Sequence, residues 1–318
     1  MNISRLGLIS GPVLATGMMV LFDLAPDRPE VTRMAGVALW MAIWWMTEAV
    51  PLAVTALLPV VLFPMLGVMD GRAVSSQYFN HIIFLFIGGF LVALAMQRWE
   101  LHRRIALRVL LLFGGCPRCT LTGFMLATAF LSMWISNTAT TMMMVPIALA
   151  IVMKMEEQSE GEEVSGYGTA IFLGVAYGAS IGGVATLVGT PPNLSFARIV
   201  VIHFPNAPEI SFATWFLFAF PISLLLLAVA CVVLCVMFGI RGGKSSALNL
   251  DVIRSQYDAL GPLAFEEKVV LADFVALALL WISRRGVQIG DLSLPGWSGL
   301  FEWGEFLNDG TVAMGAAL

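Results

Sequence analysis

The chain has 318 residues, of which 59% are hydrophobic and only 12% charged, with a net charge of −4. Soluble domains carry about 45–50% apolar and about 25% charged residues, so the composition is that of a membrane protein. The small, scattered charge leaves no footprint for nucleic acid.

Residues 1–5 carry one basic side chain, Arg5, ahead of an apolar run at 6–22, as in a secretory signal. No Ala-x-Ala cleavage site follows and 23–33 is a polar loop, so a retained first transmembrane helix is expected. Apolar segments of helical length recur at 34–47, 49–68, 82–96, 119–153, 164–197, 210–240 and 269–283, and a last one starts near Thr311. No β-type alternation competes with them. The expected fold class is an all-α polytopic membrane protein.

Lys and Arg set the expected orientation. Arg98, Arg103, Arg104, Arg108 and Arg118 oppose one acid, Glu100, so residues 98–118 should be cytoplasmic, with 101–113 an interfacial amphipathic helix. Lys154 should be cytoplasmic too, and the acids Glu156, Glu157, Glu160, Glu162 and Glu163 count little. Arg241, Lys244, Arg254 and Lys268 mark a second cytoplasmic stretch. The N-terminus then falls inside and Arg284 and Arg285 outside, against the rule.

Residues 119–153 carry no charge and one polar knot, Ser136-Asn137-Thr138-Ala139-Thr140-Thr141. One helix of that length would run about 52 Å, against a bilayer core of about 30 Å. Broken at the knot, the arms 119–135 and 139–153 are each about 22–26 Å long. A re-entrant hairpin is expected, its tip buried in protein or lining a cavity.

The segment 164–197 is interrupted in the same style. Gly174, Gly178 and Gly182 form a stripe for close helix approach. Then comes Gly189-Thr190-Pro191-Pro192-Asn193, where the prolines remove amide donors and Gly189 frees φ. A discontinuous membrane helix bares carbonyls for a cation and amides for an anion. Taken singly, Ser-Asn-Thr reads as interhelical glue and the second break as a kink or loop. Two uncharged breaks together point to a transport site.

Other features are bland. Cys116-Pro117-Arg118-Cys119 has the spacing of a redox pair or half a zinc site, but without a second pair or His pair nearby, free cysteines are expected. Glu48 fits a helix turn, and Asp273 should snorkel to the interface. His81, His102 and His203 share no ligand spacing. Gly243-Lys244-Ser245 lacks the first P-loop glycine, Phe238 standing there. The Met142-Met143-Met144 run reads as adaptable packing.

Ser132-x-x-x-Ser136-Asn137-Thr138 followed by Gly189-Thr190-Pro191-Pro192-Asn193 resembles the divalent anion:sodium symporter family, the INDY-type di- and tricarboxylate transporters. Trp45-Met46-Thr47-Glu48-Ala49-Val50-Pro51 and Pro295-Gly296-Trp297-Ser298 are similar to it too. The resemblance implies an inverted-repeat fold in which each repeat supplies one hairpin tip and one broken helix. Sodium would be held by Ser132, Ser136, Asn137 and backbone at Gly189. Substrate would meet Asn137, Thr138, Thr190, Pro191 and Asn193. Residues 1–97 would be scaffold helices, 98–118 the interfacial helix, and 119–203 transport-domain elements (hairpin 119–153, broken helix 164–203). Residues 210–285 would be further helices with a cytoplasmic connector at 241–268, and 286–318 the start of a second repeat.

The implied activity is sodium-coupled symport of a divalent organic anion such as succinate, malate or fumarate, in a homodimer in the bacterial inner membrane, N-terminus cytoplasmic. A sodium-independent dicarboxylate exchanger, or a sodium-coupled citrate or sulfate carrier, is the alternative. The residue chemistry agrees: hard cations prefer oxygen ligands, and the breaks hold no Asp or Glu for a proton relay. No cofactor beyond Na+ is expected. Enzyme chemistry is not expected either, since His-Glu-x-x-His and a buried Asp pair are both missing. With one tip and one break in 318 residues, the natural gene is expected to continue for about one more repeat.

Overall fold

The computed structural model describes residues 3–113, 116–158, 164–240, 250–289 and 292–318. Expectations resting on Glu160, Glu162, Glu163, Arg241 and Gly243-Lys244-Ser245 lie outside these residues. The chain divides into two compact units, Met1–Asn80 and His81–Leu318.

In the first unit, helix α1 (Ile3–Leu21) packs on α2 (Pro29–Thr47) through small residues. A Cβ at Gly7 would overlap the Thr47 side chain, and one at Gly11 would lie 2.7 Å from the Trp44 ring nitrogen. Glu48 closes α2 with a left-handed backbone, φ 48°; it is exposed and sits at the helix turn expected of it. The segment 49–68, expected to be continuous, splits into α3 (Leu52–Ala56) and α4 (Leu58–Met65). The cause is proline: Pro51 precedes one helix and Pro59 sits in the first turn of the other, where the missing N–H costs nothing. A further short helix, α5 (Gly71–Tyr78), is capped by Asp70, whose carboxylate accepts from Arg72 N and Ala73 N at 2.9 Å each.

Two large apolar cores organise the second unit, beside a smaller one of Leu121, Met125, Ala129, Leu227, Leu234 and Cys235. One lies between α7 (Leu101–Phe113), α8 (Pro117–Ser132), α9 (Asn137–Gln158), α10 (Val164–Val184) and α13 (Leu250–Asp258). The other joins α6 (His81–Arg98), α11 (Pro191–His203), α12 (Phe212–Met237), α14 (Phe265–Ser283) and α15 (Asp309–Ala317). Against the second, the partly buried Trp134 packs edge-on to Phe274 at 4.8 Å and stacks with Phe212 at 5.9 Å. Helix α7 has the expected bounds and buries one stripe, Leu101, Arg104, Leu107 and Leu110. Outward faces are apolar, with Phe218, Leu225 and Val236 of α12 mostly exposed. Five stretches among the described residues are long and apolar enough to cross a membrane.

Two buried ion pairs tie the second unit together. Arg104 Nε donates to Glu267 Oε1 at 2.8 Å and Nη2 to Oε2 at 3.0 Å, joining α7 to the start of α14. Arg284 at the end of α14 pairs with Asp309 at the start of α15 and with Glu209, which also takes Arg285. These two arginines are therefore not free loop charges: Arg284 is buried and its charge is neutralised inside the fold.

One expectation is corrected here. Cys116 and Cys119 are not free but disulfide-bonded. Cys116 is the extended N-cap of α8 and Cys119 lies in its first turn, so the helix start folds one thiol onto the other. The all-α class stands, with one small antiparallel β-hairpin beside the helices, β1 (Val287–Ile289) with β2 (Leu292–Leu294), Val287 opposite Leu294. Both triplets alternate apolar, polar, apolar, but they are too short to stand out among long apolar helices.

Candidate functional site

The polar knot breaks the chain earlier than expected. Helix α8 ends at Ser132 and α9 begins at Asn137, leaving Met133–Ser136 as the turn. Ser136 Oγ accepts from Ala139 N at 3.4 Å, the N-cap pattern. Thr141 does not interrupt α9 because its hydroxyl donates back to Asn137 O at 2.8 Å, a bond that lets threonine sit inside a helix. The second arm is also longer than expected: α9 has 22 residues, about 33 Å.

The two arms do form a hairpin. At the start of α10, Tyr167 donates to Pro117 O at 2.8 Å and a Cβ at Gly168 would lie 2.9 Å from Val152. At its end, Gly182 lies on Ala129 and Gly183 on Asn137. One helix thus touches both outer ends of the hairpin and then both inner ends. The glycine stripe permits this: a Cβ at Gly178 would come 2.9 Å from Met125 O and one at Gly182 2.2 Å from Ala129 O. Alanine at either position would push backbone against backbone.

Beyond Val184 the chain breaks again, and α11 restarts at Pro191 behind an extended Thr190 (φ −148°, ψ 139°). Both breaks meet. The carbonyl ends of α8 and α10 and the amide ends of α9 and α11 converge around Gly183 and Gly189, where a Cβ on Gly189 would lie 2.6 Å from Gly183 O and 2.9 Å from Ser132 O.

Side chains knit the junction. Ser132 Oγ lies 2.7 Å from both Asn137 Oδ1 and Ala179 O. The Thr186 hydroxyl donates to Met133 O and accepts from Gly189 N at 3.0 Å. Asn193 Nδ2 donates to Gly183 O at 2.9 Å and Thr186 O at 2.7 Å. Among the described residues no group of three His, Cys, Asp or Glu could hold a metal ion, so the oxygens here are neutral.

Of the residues singled out from the sequence, Ser132, Asn137 and Gly189 are brought together. Ser132 and Gly189 are buried, Thr190 is half-buried, and Thr138 and Pro191 are exposed. Ser136 is turned to the cap of α9, where its hydroxyl accepts from Ala139 N. Asn193 is buried and turned back on the end of α10, away from exposed Thr138 and Pro191. Sequence reasoning missed Ala179, Gly183 and Thr186. Gly183 adjoins the recognised stripe, but nothing in the pattern marked Thr186 or the Ala179 carbonyl.

This is a multi-pass membrane protein built around two opposed helix breaks. It belongs to the family described as the sodium:sulfate symporter transmembrane region, which matches residues 13–315. The chain is 39% identical to a sodium-dependent dicarboxylate transporter, SdcS, of Staphylococcus saprophyticus, over 98% of this chain and 59% of the relative. It is 40% identical to SdcS of Staphylococcus aureus strain COL, over 88% of this chain and 54% of the relative. The chain thus spans somewhat over half the length of these relatives.

Proposed function

We propose that this chain supplies one wall of a sodium-coupled carrier for divalent organic anions such as succinate, malate or fumarate, working by alternating access. The observation that supports it best is the meeting of two carbonyl ends and two amide ends, with neutral side-chain oxygens, at one junction. Ser132 has a single hydroxyl proton for two acceptors at 2.7 Å. The Ser132 and Asn137 side-chain oxygens, held side by side, are the kind of uncharged ligand a sodium ion takes. Backbone carbonyls near Gly189 and the Ser136 hydroxyl complete the proposed ion site.

The substrate side is the exposed one. Thr138 and Pro191 lie in the first turns of α9 and α11, with Thr190 as the N-cap of α11; Pro191 and Pro192 carry no N–H, so a carboxylate meets hydroxyls, the amides that open α9 and two positive helix ends. Asn137 serves both ion and substrate. Asn193 acts indirectly, by holding the end of α10 against the break. A helix N-terminus contributes about 0.3–1 kcal/mol toward an anion, at most about 2, too little to desolvate a dianion. The sodium supplies the missing attraction, and its departure releases the substrate; this is the coupling.

The staphylococcal relatives carry dicarboxylate in their names, whereas the family description names sulfate; both are divalent anions. In this reading residues 1–97 are scaffold, 98–118 an interfacial arm, and 119–203 the moving elements with a re-entrant tip. Residues 210–285 add helices, and 286–318 open a second, inverted repeat that supplies the facing wall. The protein is a homodimer in a bacterial inner membrane, N-terminus cytoplasmic.

Uptake of labelled succinate into liposomes holding the complete gene product tests the function. Uptake should require an inward sodium gradient. Equal uptake in potassium would favour the sodium-independent exchanger, and competition by sulfate or citrate but not malate would move the substrate class.

A further inference from the structure

All four cysteines of the chain converge on one end of α8, although the two pairs are more than a hundred residues apart in sequence. Cys116 and Cys119 form the disulfide at its start. Helix α12 runs antiparallel to α10: Trp215 donates to Val184 O at 2.9 Å, and Phe238 lies 3.8 Å from a Cβ position at Gly166. Since α8 lies parallel to α10, α12 is antiparallel to α8 as well. Thr122 Oγ1 is 3.3 Å from Cys231 Sγ, and Cys235 is buried in one apolar cluster with Leu121 and Met125 of α8. Cys119 is about one turn before Thr122 and Cys235 one turn beyond Cys231. Antiparallel helices therefore bring Cys119 and Cys235 to the same level.

We propose that this is a thiol–disulfide exchange site, in which Cys235 takes Cys119 from Cys116 and staples α8 to α12. The Cys235 thiolate attacks Cys119 Sγ. The Cys119–Cys235 bond forms as Cys116–Cys119 breaks, and Cys116 leaves as a thiolate that takes up the proton Cys235 gave up. One disulfide and two thiols stand on each side, so no external oxidant is consumed. Arg118 is exposed at the same end of α8. Cys231, one turn before Cys235 on α12, meets Thr122 of α8. A dithiol reductant would open either disulfide and become a disulfide itself, so the staple follows the redox state of its surroundings. The site stands independently of the transport reading.

The test is peptide mapping of the purified complete protein, equilibrated in glutathione buffers of graded poise and quenched by alkylation. A peptide pair joining α8 to α12 should appear within single chains. Cys116→Ser leaves Cys119 without its first partner and should make that bridge the main oxidised species; Cys235→Ser should abolish it and Cys231→Ser should not. The proposal is overturned if Cys116→Ser shows Cys119 only alkylated or glutathionylated. It is equally overturned if the bridge survives Cys235→Ser or joins separate chains. Should Cys116→Ser fold poorly, the wild-type map decides: a Cys116–Cys119 disulfide at every oxidising poise with no interhelical bridge also overturns it.

Discussion

Gly183→Ala perturbs the proposed ion site without removing a ligand. A Cβ there would stand 2.2 Å from Asn137 Oδ1, 2.9 Å from Cγ and 3.0 Å from Nδ2. Ordinary non-bonded contact begins at about 3.5 Å, so the amide must retreat by more than about 1 Å. That breaks the 2.7 Å contact with Ser132, worth about 1 kcal/mol net. Overpacking adds about 1–3 kcal/mol, against which alanine returns about 0.5–1 kcal/mol of helix propensity. The net loss of stability is about 1–3 kcal/mol. A displaced ligand worth about 2 kcal/mol lowers sodium affinity about 30-fold, at about 1.4 kcal/mol per decade. Sodium titration of thermal unfolding in detergent reads both quantities. Gly17→Ala, with nothing within 4 Å of its Cβ position, is the control and should leave sodium affinity unchanged. A Gly183→Ala protein with wild-type sodium affinity would refute Asn137 as an ion ligand.

Arg104→Ala strands Glu267 in a site where it is 5% exposed and should cost about 3–5 kcal/mol. The double change Arg104→Met with Glu267→Leu should recover most of that loss; denaturant unfolding that finds the two equal would show that the pair is not what matters. His102 is half-buried, and burial holds its pKa below the usual value, only partly offset by its contact with Met96 O. Below about pH 6.5 the unfolded chain takes up that proton more readily than the folded one, so acidification destabilises the protein. His102→Gln should flatten this part of the pH–stability curve, and an unchanged slope would show that His102 does not contribute.

The breaks and the long helices were legible in the sequence because each has a local cause. Charge-free length limits a span, two prolines end a helix, and glycines four apart mark a close packing face. The Ser-Asn-Thr turn falls a few residues earlier than the sequence suggests because Thr140 and Thr141 look like breakers, yet their hydroxyls donate to backbone carbonyls, Ile135 O in the turn and Asn137 O in α9. The rest depends on distant partners. Nothing near Arg104 names Glu267, nothing near Arg284 names Asp309, and Cys231 meets Thr122 only once α8 and α12 cross. Asn193 was placed with the substrate residues because of its motif, whereas its amide closes the end of α10, a role fixed by where Gly183 and Thr186 fall.

The central claim is that one set of uncharged oxygens serves both ion and anion, with Asn137 common to the two. Sodium and succinate binding should therefore be measured on the same purified Asn137→Ala protein, by sodium titration and by sodium-dependent binding of labelled succinate. The account predicts that both affinities fall together, the succinate loss being partly regained at saturating sodium. An Asn137→Ala protein that binds sodium as the wild type does while losing only succinate would contradict it.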